Sequence, residues 1–281
     1  MGEQQLWERV VGGHFVLAKR SFWPNFFSQL VARLQWNPMA IDLTGDAREW
    51  AELGADRRAR LLKLLAGFRV GEDAVAAQIA PFADAARETT LASQESLMAW
   101  VFFLQRRDEQ RHAQFFDRIS SEVLALPGDT AADRRSAARA HVQDAFADLF
   151  EQRLPAVAAD LAAGHAELAE GLSLYHMLLE GVVFDAGQRA LLDELADGAL
   201  PGVRAGLEHV VRDERWHVGF GLRCLIETQP SEGVLAGLLE RAGAAAAAWG
   251  DAVPAATREA SAGKVAHRLH VSRLIETRAA A

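Results

Sequence analysis

The sequence predicts an all-α protein built around a four-helix bundle, and three observations support this fold class. Half of the 281 residues are hydrophobic, with many Ala and Leu and only 8 Pro, a composition that favours helix. No stretch alternates apolar and polar residues as a strand would. The motif Glu-x-x-His occurs twice inside long helical patterns, at Glu109–His112 and at Glu214–His217.

The predicted elements begin with a mixed segment, residues 1–55, which we interpret as short helices and loops covering the bundle. Asp56 then predicts the N-cap of a first long helix that runs to about Phe82. Apolar residues recur in this helix every three or four positions, as on one buried face. Glu72 lies in the middle of that apolar stripe.

Ser93 precedes the second predicted helix, about residues 94–124, which carries the first Glu-x-x-His motif. The third helix, about 133–160, lacks the motif and is interpreted as a connecting helix. A break is expected in it near Pro155, because proline disrupts a helix interior.

The fourth predicted helix, about 165–196, places Glu180 on another apolar stripe. The fifth, about 201–228, opens with a proline, which suits a first helical turn, and carries the second motif. A sixth, Ala-rich helix covers about 232–249. The tail after Pro254 has few large apolar residues, and we expect it to be partly ordered at best.

The spacing of four Glu and two His predicts one shared site. Residues at i and i+3 lie on the same helix face, so each motif directs a carboxylate and an imidazole to one point. A further Glu precedes each motif by 37 or 34 residues, about one helix, a turn and a return. This is the ligand set of a carboxylate-bridged dimetal centre in a bundle. The predicted ligands are Glu72, Glu109, His112, Glu180, Glu214 and His217.

The charges of this set balance in a buried site. Four ionised Glu neutralise two divalent metal ions, and neutral imidazoles add no charge. Without metal, the clustered carboxylates would have to take up protons or loosen the bundle. Mixed oxygen and nitrogen ligands suit iron and manganese, and the sequence leaves open a Mn/Fe pair or two Fe.

No linker long enough to divide the chain is visible, so we predict a single domain over residues 1–281. Its metal-binding core would cover about 56–228, with an N-terminal cover over 1–55. A C-terminal helix and tail would follow over 229–281.

Composition excludes several classes of partner. The formal net charge is −8 and no Lys/Arg-rich run occurs, so we expect no nucleic-acid partner. No stretch is apolar and long enough for a transmembrane helix, and the N-terminus does not resemble a secretory signal. The single Cys224 suits a reducing compartment, and the expected location is cytoplasmic.

Residues 34–228 resemble the small, radical-generating subunit of class I ribonucleotide reductase, a member of the ferritin-like superfamily. The resemblance rests on the six predicted ligands. The reductases usually hold a radical Tyr one turn after the first ligand His, where this chain has Phe116. They also usually carry a Tyr in a C-terminal docking tail, whereas residues 274–281 contain no aromatic residue.

A second pattern resembles the ligand-binding oxidases related to that subunit. Tyr175, the only Tyr, precedes Glu180 by five residues, and Val75 follows Glu72 by three. In those oxidases a Val and a Tyr at these offsets become joined by an ether bond. The resemblance implies an O2-activating Mn/Fe cofactor, a bound long-chain fatty acid and a homodimer. It therefore implies a two-electron oxidase with a self-generated Val75–Tyr175 cross-link.

Two more residues keep a reductase function open as the alternative. Trp36 and Asp213 match residues that carry long-range electron transfer in the reductase subunits, although Trp36 could equally be a packing residue. A hydrogen bond from His112 to Asp213 is expected, since it would fix the orientation of the imidazole ring. A storage or binding protein is a third class, in which the bundle holds many iron atoms or a lipid without turnover.

Overall fold

The computed structural model of the protein describes residues 23–87 and 95–275, and no strand occurs among them. Four long helices form a bundle, and the shorter helices pack around it. The helices are α1 (Trp23–Arg33), α2 (Thr44–Glu52), α3 (Ala55–Gln78), α4 (Ala80–Arg87), α5 (Glu95–Arg118), α6 (Ala131–Arg139), α7 (144–162), α8 (168–194), α9 (Pro201–Glu227), α10 (Glu232–Ala247) and α11 (Ala255–Val271).

Helices α3, α5, α8 and α9 make up the bundle, and each runs antiparallel to its neighbour. Between α5 and α9, for example, Asp108 contacts Trp216 near one end, whereas Phe115 lies against Gly206 further along. A Cβ on Gly206 would come within 2.0 Å of the Phe115 ring, so the close approach of these two helices requires glycine there.

Three helices contain π-helical turns or are followed by one. The π-helical segments are Ile119–Val123 after α5, Asp148–Arg153 within α7 and Ser173–Phe184 within α8. A π-helix bonds residue i to i+5 and is frequent at functional sites. The longest segment lies in the fully buried part of the bundle, where Glu180 is located.

Two predicted helix boundaries were wrong. The first long helix ends at Gln78 and not at Phe82, because α4 begins as a separate helix with Pro81 in its first turn. Its N-cap position is Gly54, so Asp56 lies one residue inside the first turn. Ser93, predicted to precede α5, lies outside the described residues.

The predicted break near Pro155 was also wrong. The chain leaves helix between α6 and α7, at 140–143, and continues through Pro155. Pro155 stands in the first turn of the α-helical part that follows the π-helical segment of α7. The hydrogen-bonding pattern changes from π to α at that point, and the helix continues although Pro155 has no N–H to donate.

The tail after Pro254, expected to be partly ordered at best, forms α11 over Ala255–Val271. Val265 and Leu269 are fully buried, and both Ser261 and Lys264 bind the Asp185 carboxylate of α8. Few large apolar side chains are needed, because polar contacts to α8 complete this interface.

The described part of the N-terminal segment fixes the start of α9. Asp46 of α2 accepts hydrogen bonds from the backbone N–H groups of Gly202 and Val203. A carboxylate at this place satisfies the free donors of a helix N-terminus.

Among the described residues, no helix is long and apolar enough to cross a bilayer. The single-domain interpretation stays a prediction.

Candidate metal centre

The six predicted ligands meet at the centre of the bundle. Glu72 lies on α3, and Glu109 and His112 lie on α5. Glu180 lies on α8, and Glu214 and His217 lie on α9. All six are buried. They form two groups whose candidate ligand atoms lie within 4.8 Å of one another, and Glu109 and Glu214 belong to both. Position 1 is Glu72, Glu109, His112 and Glu214, and position 2 is Glu109, Glu180, Glu214 and His217.

The Nδ1 atom of each imidazole faces the carboxylates. His112 Nδ1 lies 3.4 Å from Glu72 Oε2 and 3.4 Å from Glu214 Oε1. His217 Nδ1 lies 3.1 Å from Glu109 Oε1 and 3.5 Å from Glu180 Oε1. Each His therefore directs one nitrogen into the cluster.

Besides Nε2 of His217, eight atoms of the cluster are buried without a hydrogen-bond partner, which is costly for polar groups unless a cation binds them. They are both carboxylate oxygens of Glu72 and Glu214, one oxygen each of Glu109 and Glu180, and Nδ1 of His112 and His217. Carboxylates and imidazoles in this number suit iron and manganese. The residues present therefore fit a pair of divalent cations.

The outward-facing nitrogens of the two His contact Asp residues. His112 Nε2 lies 3.3 Å from Asp213 Oδ2, so the expected hydrogen bond is present. Trp36 donates its indole N–H to the same Asp213 oxygen at 2.7 Å and stacks on His209. Trp36 is half-buried.

A second set of the same kind was missed from the sequence. Trp216 donates to Asp108 Oδ2 at 3.1 Å, and that oxygen lies 3.6 Å from His217 Nε2. Arg111 forms a salt bridge with the other oxygen of Asp108. The available signal was the Asp that precedes Glu in both motifs, since Asp-Glu-x-x-His recurs in full.

Tyr175 lies against the cluster and donates its hydroxyl to Glu109 Oε1 at 2.9 Å. Tyr175 and Glu180 are both within the π-helical segment of α8. Because a π-helix bonds i to i+5, the two residues are one turn apart, not the one and a half turns of an α-helix. Val75 is fully buried on α3, one turn after Glu72.

Gln105 and His176 also reach the cluster and were not predicted. Gln105 Nε2 donates to Glu180 Oε1 at 2.9 Å and to Glu109 Oε1 at 3.2 Å. His176 Nε2 lies 3.1 Å from the Gln105 carbonyl oxygen, so it donates the proton there. In the sequence, no Glu-x-x-His motif marks His176 as a candidate site residue.

Burial sets the protonation of the cluster when no cation lies between the carboxylates. Burial raises the pKa of Glu72 to about 8, against the opposing attraction of His112. Burial also raises the pKa of Glu180 well above its ordinary value, and the nearby Glu214 adds to the rise. For Glu109, the two adjacent imidazoles outweigh burial and lower the pKa.

The imidazoles and the phenol shift in the directions that their neighbours dictate. Burial alone would lower the pKa of His112, but Glu72 and the other carboxylates raise it well above its ordinary value. The same competition, led by Glu109, raises the pKa of His217. Burial raises the pKa of Tyr175 and keeps its hydroxyl protonated. His176, without a carboxylate partner, has its pKa lowered by burial and stays neutral.

Aromatic rings lie one helical turn from Glu72 and His112, at Phe68 and Phe116. Phe116, at the place of the reductase radical Tyr, is buried and stacks on Phe68 with ring centroids 5.2 Å apart. Phe184 stacks on Phe150 at 5.1 Å and also contacts Phe68. These side chains hold no hydroxyl, so the described residues around the cluster include a single phenol, that of Tyr175.

The helices and their central cluster define the ferritin-like helical fold class. No protein-family model matches the chain. Solved structures that it resembles are R2-like ligand-binding oxidases. One, a Val-to-Ala variant with an anaerobically reconstituted Mn/Fe cofactor, has a TM-score of 0.73 at 20% identity, covering 92% of this chain and 94% of the other.

Two further structures of the same oxidase type agree. A Val-to-Leu variant with the anaerobically reconstituted Mn/Fe cofactor gives a TM-score of 0.72 at 21% identity, over 92% of this chain and 94% of the other. A structure with an aerobically reconstituted metal cofactor after photoconversion gives 0.70 at 20% identity, over 93% and 95%. The chain therefore has the fold of R2-like ligand-binding oxidases, as the sequence resemblance predicted.

Proposed function

We propose that the protein is an O2-activating dimetal-carboxylate oxidase that performs two-electron oxidations. Position 1 and position 2 would hold one Mn and one Fe, or two Fe, through the six ligands. The observation that carries the proposal is the set of eight buried, unpartnered ligand atoms. Structures of the same fold are named as oxidases with Mn/Fe cofactors, which supports the choice of metals.

When bound, a pair of divalent metal ions supplies the electrons and the open coordination positions that dioxygen activation requires. The protein's own residues prepare the site. Asp213 accepts a hydrogen bond from the Nε2–H group of His112, so the lone pair of Nδ1 points into the cluster. Full burial of both His excludes water from the reacting centre.

We further propose that the enzyme forms an ether bond between Val75 and Tyr175. Two electrons and two protons leave as the Val75 Cβ–H and the Tyr175 O–H give a Cβ–O bond. Glu109 Oε1, already the acceptor of the hydroxyl hydrogen bond, would take the phenolic proton. Dioxygen needs four electrons to become two waters, and it receives two from this bond and two from the reduced metals.

The resemblance extends the proposal to the ligand and the assembly. We propose a long-chain fatty acid or similar lipid-like ligand beside the metals. Structures of the same fold are named ligand-binding oxidases, which supports it. We also propose a homodimer in the cytoplasm, the latter because the single Cys224 is a buried free thiol.

Intact-mass and metal analysis test the proposed function. Protein purified without metal is loaded with Mn and Fe in air, desalted and digested. We expect two metal ions per chain, a mass loss of two hydrogens and a joined peptide that contains Val75 and Tyr175. Fewer than two metals contradicts the dimetal site, and many iron atoms per chain favours storage. Two metals with separate, unmodified peptides contradicts the cross-link alone.

One contact favours the alternative function, the radical-generating small subunit of a class I ribonucleotide reductase. Trp36, Asp213 and His112 form a continuous hydrogen-bonded path from the half-buried indole to the cluster. Such a path suits long-range electron transfer to a partner. Co-purification of a reductase catalytic chain with the tagged protein would favour this alternative, and its absence with full oxidase activity would exclude it.

A further inference from the structure

We propose that Gln105, oriented by His176, is a positioning residue that makes the two metal positions inequivalent by holding the carboxylates of position 2. The inference rests on the proposed dimetal function. It assigns a role to two residues outside the six ligands and predicts stepwise metal binding.

Gln105 contacts only those oxygens that face position 2. The Glu109 oxygen it binds, Oε1, is the one 3.1 Å from His217 Nδ1, whereas Oε2 of the same residue faces His112 at 3.5 Å. The Glu180 oxygen it binds is likewise the one 3.5 Å from His217 Nδ1. The Gln105 amide therefore donates hydrogen bonds to two carboxylates of a single metal position.

Among the described residues, no side-chain amide donates in this way to the carboxylates of position 1. Both oxygens of Glu72 and of Glu214 lack a hydrogen-bond partner, and so does the Glu109 oxygen that faces position 1. The residue equivalent to Gln105 in α9, four positions before the Glu of the motif, is Val210, which is buried and has no donor. The two halves of the cluster are thus built from matching motifs but differ at this place.

His176 fixes which way the amide of Gln105 points. Because His176 Nε2 donates to the Gln105 carbonyl oxygen, the amide N–H groups face the two carboxylates. The His176 ring is held between Phe102 and Phe82 and lies against Gly221, where any Cβ would come within 2.2 Å of the ring. A fully buried donor in an apolar pocket has little freedom to turn away.

The consequence is a difference in metal affinity. Glu180 Oε1 has Gln105 as its hydrogen-bonding partner, so the amide holds the carboxylate in place, whereas Oε2 is buried without a partner. Loss of a residue that orients a ligand typically lowers metal affinity about 10–100-fold. Because the contacts lie on one side, the loss should fall on position 2 and leave position 1 unchanged.

Anaerobic Mn²⁺ titration against a chromophoric chelator, with anomalous diffraction of crystals at limiting Mn²⁺, tests the inference without a turnover assay. We expect Gln105→Leu to weaken one of two equivalents by about 10–100-fold. Position 2 should lose its anomalous peak while position 1 keeps it. His176→Phe should act in the same direction, because the amide is then free to turn.

Val210→Ala, the matched change in the other half, should leave both equivalents as in the wild type. If Gln105→Leu does not fold, as judged by thermal unfolding without metal, Gln105→Met replaces it at nearly constant volume. Unchanged binding of both equivalents, or equal weakening of both, overturns the inference while the dimetal site stands. A wild-type protein that binds fewer than two Mn²⁺ overturns the proposed function itself.

Discussion

Each cluster His uses its two nitrogens for different contacts. Nδ1 faces the carboxylates, and Nε2 faces an Asp that comes from the facing helix, Asp213 for His112 and Asp108 for His217. A carboxylate behind a ligating imidazole fixes its tautomer and raises its basicity. The orientation of His112 is therefore set by the facing helix α9, so helix packing and ligand geometry depend on each other. Asp108 lies near His217 Nε2 without a hydrogen bond.

Replacement of Asp213 by Asn tests this at the level of one residue. The neutral amide is a weaker acceptor for His112 Nε2–H, so metal affinity at position 1 should fall roughly 10-fold or more. Competitive chelator titration measures it. Trp36→Phe is the matched control, since it removes the indole contact to Asp213 but keeps the carboxylate. Equal affinity in Asp213→Asn and wild type would argue against the role of Asp213.

At the level of the helices, the hydrophobic pattern of the sequence predicted some features and missed others. Periodicity placed the four bundle helices and all six cluster residues, because each lies on a stripe of an amphipathic or buried helix. It did not reveal the π-helical turns, which are one-residue changes of hydrogen bonding within a helical pattern. Nor did it reveal Gln105 or His176, whose contacts depend on side-chain directions across the bundle.

Helix α11 is the clearest example of tertiary contacts that override composition. Arg268 is almost fully buried and donates to the Gly181 carbonyl of the π-helical segment, one residue after Glu180. The sequence of this tail, made mostly of small and charged residues, does not show that Arg268 has a buried partner. The partner exists only once α8 and α11 are packed together.

A single methyl group added at the α8–α9 contact should disturb the fold locally. Gly221→Ala places a Cβ within 2.2 Å of the His176 ring, and overpacking of this kind costs about 1–3 kcal/mol. Gly263→Ala on α11 is the matched control, because nothing lies within 4 Å of its added Cβ. We expect it to be neutral or stabilising by about 0.5–1 kcal/mol. Urea unfolding of both variants measures the difference, and equal stabilities would contradict the tight contact.

The start of α3 and the turn that follows α8 are joined by an ion pair with a defined acid dependence. Arg57 binds Asp197 at 2.8 Å, and this hydrogen bond lowers the pKa of Asp197 to about 2. A lowered carboxyl pKa gives stability that is present above the ordinary value near 4 and is lost as the pH falls towards 2. The difference in unfolding free energy between wild type and Asp197→Asn should therefore shrink between pH 4 and pH 2. A difference that stays constant over this range would exclude the pair as its cause.

At the scale of the whole molecule, we expect stability to depend on metal binding. The bundle buries four carboxylates at its centre, and the pKa of Glu72 is raised to about 8 because its charge is costly there. A bound cation offsets that cost in the folded state only. The same cluster that would support oxidation is thus expected to weaken the protein when no metal is present.

Metal removal should consequently lower the melting temperature. At a metal concentration about 1,000 times the dissociation constant, binding stabilises the folded state by about 4 kcal/mol, or on the order of 10 °C for a chain of this size. Calorimetry of metal-loaded and chelator-treated protein measures the shift. Glu72→Gln is expected to reduce it, because position 1 loses a ligand. Equal melting temperatures with and without metal would mean that the cluster is not a binding site.

The most direct measurement is anomalous diffraction at the Mn and Fe edges from crystals of aerobically loaded protein. Two peaks are predicted between the carboxylates, one beside Glu72 and His112 and one beside Glu180 and His217. Glu109 and Glu214, which belong to both positions, should lie between the two peaks. Absence of peaks there, or side chains of Glu72 and Glu180 directed into solvent, would contradict the proposed dimetal oxidase.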